Sequence, residues 1–144
     1  MFQRILIAWD GSEVALRALD VAIDITRRNE AELVAVSVAY SPAHAETSAD
    51  RAESADAARR YLRETFDEVR DRAERAGVEV EHRILEGESP ARLLLEYAHE
   101  GAFDLIVSGH HHARRAGRLL LSGLAQSLLA DTTVPVLIVP DEPD

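Results

Sequence analysis

Five short apolar runs, each separated from the next by a longer amphipathic stretch, constrain the fold of this 144-residue chain more than any other feature. They cover residues 4–9, 32–39, 78–85, 103–108 and 134–140. The second is β-branched and almost wholly apolar, as a strand buried on both faces of a parallel sheet must be. The third alternates Val78, Val80, His82 and Ile84 with charged residues, which predicts an edge strand with one wet face.

The stretches between the runs read as helices. Ser12 is a cap residue for a helix reaching about Asn29, with Leu16, Leu19, Ala22, Ile23 and Ile25 on its apolar face. A charged helix over about 51–76 stops at Gly77. Ser89 as cap and Pro90 in the first turn open a helix carrying Leu93, Leu94, Leu95, Tyr97 and Ala98, and a last helix is expected over about 122–130. Residues 40–50 are expected to form a mobile loop.

Strand–helix alternation with right-handed crossovers yields an α/β fold, a doubly wound parallel sheet with helices on both faces. No repeat or linker divides the chain, so one domain over 1–144 is expected. Ligands of such sheets bind beyond the carboxyl ends of the strands, where strand order reverses. That rule gathers Trp9, Asp10, Val38, Ala39 and Gly109 around one crevice. The last run is too apolar for a bare sheet edge. It is expected to pair with a second copy through Val134, Val136 and Ile138, with Pro135 either turned to the side that needs no ladder bond or crossing at the dimer seam.

Composition removes several functions. The net charge of −10 disfavours a nucleic-acid binder, which needs a basic stripe. All 16 basic residues are arginine, so neither a Walker-type phosphate loop nor Schiff-base chemistry is available. Without cysteine there is no thiol nucleophile, disulfide or thiolate metal site. No apolar run approaches the ~20 residues of a membrane helix, and none reads as a signal peptide, so a soluble, cytoplasmic protein is expected.

Residues 108–123 leave a strand through Gly109, cross a loop rich in histidine and arginine, and enter a helix through Ser122-Gly123. A helix N-terminus favours an anion, and Arg114, Arg115 and Arg118 are candidate phosphate contacts. The plainer alternative is a solvated loop before a capped helix. His110, His111 and His112 are adjacent rather than spaced like metal ligands, so a surface loop is expected there and no metal site. His44, His82 and His99 read as surface or edge residues. No G-x-S-x-G elbow is present for serine catalysis.

Four segments resemble the universal stress proteins: residues 5–12, Gly87-Glu88-Ser89-Pro90, residues 104–109 and residues 134–139. The resemblance implies a five-stranded sheet of order 3-2-1-4-5, adenine-nucleotide alpha-hydrolase-like, and a homodimer through the last strand. ATP-binding members carry G-x-x-G, nine residues, then G-S or G-T. Gly109 supplies the first glycine here, His112 stands at the second, and Ser122-Gly123 reverses the final pair, with Leu124 after it. A side chain at 112 opposes the positive φ and close phosphate approach that glycine permits. Trp9, beside Ala8, stands where adenine binders tend to carry a smaller residue, while Asp10 is available to a ribose or as a cap. The histidines after Gly109 are similar to those of the nucleotide-free branch. The resemblance therefore implies a dimeric stress-response module acting through an unidentified protein partner, without turnover. Its rival is an ATP-binding sensor with at most slow hydrolysis. The His-x-Gly-His signature of related nucleotidyl-transferring enzymes is absent.

Overall fold

A computed structural model describes residues 1–40, 48–110, 113–115, 118–120 and 123–141. Five strands form an all-parallel sheet: β1 (Arg4–Ala8), β2 (Glu32–Tyr40), β3 (Val80–Gly87), β4 (Leu105–His110) and β7 (Val136–Pro140). Their order is β3-β2-β1-β4-β7, the expected 3-2-1-4-5. Helices α1 (Glu13–Asn29) and α2 (Ser48–Arg75) cover one face, and α3 (Pro90–Glu100) and α4 (Gly123–Asp131) the other.

Alternation along each strand divides the core in two. Ile5, Ile7, Leu33 and Val107 meet Leu19, Phe66 and Val69 on the α1/α2 face. Leu6, Val34, Val36 and Ile106 meet Leu94, Ala98 and Leu128 on the other. The central strands are buried on both faces, which accounts for their unbroken apolar runs.

α1 ends as expected at Asn29, where Glu30 turns the chain with φ 51°. Its buried stripe is Val14, Ala15, Ala18, Leu19, Ala22, Ile23 and Thr26, while the expected Leu16 and Ile25 only flank it. Small residues in that stripe bring α1 close to β4: a Cβ on Gly109 would stand 2.8 Å from the carbonyl oxygen of Val14. α2 stops before Gly77, whose φ of +72° suits glycine. Part of the loop expected at 40–50 is already structured, since Tyr40 ends β2 and 48–50 open α2. Residues 41–47 lie outside the described residues.

Other expectations need correction. Ser89 does stand at the N-cap of α3, but its side chain makes no capping bond, and Pro90 alone pre-sets the first turn. β4 runs on through Gly109 to His110, because β7 continues to pair with it at Gly109↔Val139 and His110↔Pro140. The basic stretch is not all loop: β5 (Ala113–Arg115) and β6 (Arg118–Leu120) form an antiparallel ribbon. Pro135 accepts a bond from the Ile106 N–H at 2.9 Å, so its nitrogen is turned toward β4 rather than away from it. Standing ahead of the strand's first residue, it removes no ladder bond there.

Candidate functional site

β1 and β4 are neighbours, yet the chain leaves β1 through α1 on one face and leaves β4 toward α4 on the other. The sheet parts at this reversal and opens a crevice of about 230 Å³ at the carboxyl ends of the strands. Its walls are apolar: Ala8 and Trp9 from β1 and its end, Val36 and Val38 from β2, Leu94 from α3 and Leu124 from α4. Asp10, Ser12, Ser108 and Gly109 bring the polar groups.

The mouth is built by the turn between β1 and α1. Asp10 Oδ1 accepts from the Ser12 N–H at 2.9 Å and from the Ser12 hydroxyl at 2.6 Å. Ser12 Oγ in turn accepts from the Ala15 N–H at 3.2 Å, capping α1. Asp10 therefore holds the cap residue Ser12 rather than capping α1 itself, and its carboxylate stays exposed beside the crevice. Gly11 takes φ +82°, and a Cβ there would lie 2.9 Å from the Tyr61 hydroxyl. Trp9 is buried on the α2 face, its indole N–H donating to Thr65 Oγ1 at 3.1 Å. Held sideways in this way, it forms a wall of the crevice and leaves its centre open.

Of the residues singled out in the sequence, Ala8, Trp9, Asp10, Val38, Gly109 and Leu124 converge on this crevice. Gly123 opens α4, where an added Cβ would meet no atom of the described residues within 4 Å. Arg114, Arg115 and Arg118 lie on the β5–β6 ribbon, their side chains outside the described atoms, and His112 and Ser122 lie outside the described residues. Val36, Leu94, Ser12 and Ser108 were missed. For Val36 the signal was available, since it stands two residues before Val38 on the same strand face.

The histidines divide differently from expectation. His110 is not a surface-loop residue: it is buried as the last residue of β4, its carbonyl accepting from the Asp141 N–H. His111 and His112, like His44, lie outside the described residues, and His99 is exposed as expected. His82 is more than an edge residue. Its ring stacks on Phe66 at 4.3 Å and shares a 2.9 Å hydrogen bond with the buried hydroxyl of Ser37. Burial first, then the charges of Arg63, Arg70 and Arg83, lower its pKa to about 4. Among the described residues no three His, Asp or Glu side chains are grouped to hold a metal, and no helix is long and apolar enough to cross a membrane.

The whole chain has known relatives. A universal stress protein of Methanocaldococcus jannaschii is 30% identical over 141 residues, covering 96% of this chain and 82% of that protein. A crystal structure of a universal stress family protein from Burkholderia pseudomallei is 30% identical, with a TM-score of 0.76 over 97% of each chain. A universal stress protein solved in complex with cAMP is 28% identical, with a TM-score of 0.73 over 96% of this chain and 97% of that one. The sequence pattern of the universal stress protein family matches residues 1–140, and with this fold the chain belongs to that family.

Proposed function

We propose that this chain is a regulatory binding module of the stress response, acting through a protein partner. In this reading its crevice takes the base and ribose of an adenine nucleotide. The carrying observation is the crevice itself, apolar on its sides and edged by the exposed carboxylate of Asp10. At about 230 Å³ it is smaller than the ~300–1,000 Å³ that encloses a drug-sized ligand, so the phosphate would stay at the mouth. The cAMP complex of a relative 28% identical supports a monophosphate as the ligand. His112 in place of the second loop glycine speaks against a close grip on a triphosphate. Binding rather than turnover is the proposed output, and cytoplasm the proposed location.

Calorimetric titration tests this. Cyclic AMP or AMP is expected to saturate at micromolar concentration, and ATP with magnesium only near ~1 mM, about 4 kcal/mol weaker. Ala8→Leu, which fills the crevice, is expected to abolish the monophosphate signal. Absence of saturable cAMP and AMP binding would overturn the nucleotide reading. Micromolar ATP binding, or phosphate release from ATP, would overturn the triphosphate and turnover parts.

Self-association is proposed through the outer edge of β7. Because Pro135 and Asp141 bond to β4, the main-chain groups of Val136 and Ile138, in the alternate register, face away from it. Leu137 is 36% exposed on the same strand, whereas Val134 is buried in its own core. The proposed seam is therefore centred on Val136, Leu137 and Ile138.

A further inference from the structure

A second groove, of about 570 Å³, lies where α2 meets β3. Val80 and His82 face α2, while Glu81 and Arg83, alternating with them, face the other side of the sheet. All four line this one groove, so it runs along the outer edge of β3. That edge is open: β3 pairs with β2 on one side, and no strand among the described residues lies on the other. Half of the main-chain N–H and C=O groups of an eight-residue strand are therefore offered outward.

The groove is basic in a chain of net charge −10. Arg63 and Arg70 project from α2 and Arg83 from β3, against a single lining carboxylate, Glu81. Glu81 is bonded to Arg83 at 3.1 Å, and Arg70 pairs with Asp67 at 3.2 Å, both across exposed side chains. Such surface pairs are weak enough for an incoming carboxylate to replace. Arg63 is exposed, and no carboxylate among the described residues pairs with it. Val80 and Phe66, stacked on the His82 ring, make a largely apolar floor, with the Arg70 guanidinium 5.1 Å from the Phe66 centroid.

An open strand edge, an apolar floor and a guanidinium wall together select a ligand that is extended, acidic and partly apolar. We propose that this groove docks an acidic, extended segment of a partner protein, which adds as a sixth strand beside β3. Main-chain bonds would supply affinity, and carboxylates on the arginines would set specificity. The proposal rests on the reading that the chain acts through a protein partner, and it names the surface and the chemistry of that partner. The nucleotide crevice is a separate site, so failure of the cAMP titration and failure of the test below can be told apart.

The test is fluorescence anisotropy on the intact chain with a labelled eight-residue peptide alternating Glu and Val. Saturable binding is expected at tens of micromolar, a ΔG near ~−6 kcal/mol. The Lys-for-Glu peptide should bind at least about tenfold more weakly, and added salt should weaken the Glu peptide. N-methylation of alternate peptide amides, which removes strand bonds but no charge, should also cost at least about tenfold. Arg63→Glu with Arg70→Glu should do the same with the melting temperature unchanged. If that variant unfolds, the comparison of methylated and unmethylated peptides on the native chain decides. No saturation up to about 1 mM, or equal binding of the Glu and Lys peptides, overturns the proposal. So does a single-stranded oligonucleotide binding as well as the peptide while N-methylation changes nothing, since the groove would then be a general anion site.

Discussion

The imidazole of His82 is held between the Phe66 ring and the Ser37 hydroxyl, with three arginines near enough to oppose a proton. The unfolded chain protonates this residue near its ordinary value of 6.5, and the folded chain only near 4. Between those values the unfolded state binds more protons, so folding stability rises with pH there. Its contribution is complete above about pH 6.5 and is lost as the pH falls toward 4. Because the ring is only partly buried, solvent reduces the loss to about 1–2 kcal/mol. Urea unfolding at pH 7 and pH 4.5 is expected to show that loss, and His82→Leu should remove its share of the slope. An identical pH dependence in the variant would show that the ring is not the proton-linked group. Nothing at position 82 in the sequence announces this, because the alternation of β3 tells which face the ring takes but not that Ser37 and Phe66 await it.

Helix caps separate what is local from what is not. Ser12 and Ser89 each precede a helix, and by sequence they are the same signal. Ser12 makes its bond because Asp10 orients its hydroxyl, whereas the Ser89 side chain makes none and Pro90 alone sets α3. Ser12→Ala is therefore expected to cost about 1 kcal/mol, and Ser89→Ala less than ~0.5 kcal/mol. Thermal melts of the two variants measure the difference, and equal losses would contradict it. The strands and helices were legible because each carries its own period and α2 its own stop at Gly77, whereas Glu30, at φ 51° after α1, carries no such signal. The extra residues of β4 were not, since Gly109 and His110 are strand only because β7 pairs with them. The β5–β6 ribbon likewise owes its existence to cross-strand pairing of two three-residue segments, too short to show a period of their own.

At the scale of the molecule, strand order places the crevice, and the rule of reversal gathered Trp9, Asp10, Val38 and Gly109 of its lining from sequence, together with Ala39, which does not line it. It did not find Leu94, which reaches the crevice from a helix by tertiary packing alone. The same order leaves β3 and β7 as the two edges of the sheet, with opposite solutions to exposure. β3 alternates charge along its length, which keeps the edge soluble and open only to a partner of complementary charge. β7 reads Val-Leu-Ile-Val-Pro and carries no charge, which leaves an apolar edge to be covered. Two copies pairing antiparallel about a twofold axis would cover it, each giving the outward groups of Val136 and Ile138 to the other. Val136→Glu with Ile138→Glu would set like charges across that seam in a chain that is already acidic. The pair is expected to halve the mass measured by light scattering. Val136 also packs partly on its own core, so unfolding could mimic the result. Leu137→Glu provides the independent arm: its side chain is already exposed, the fold should survive, and the dimer should still weaken at least about tenfold. A native chain that is monomeric at micromolar concentration, or variants that keep the full dimer mass and melting temperature, would place the interface elsewhere.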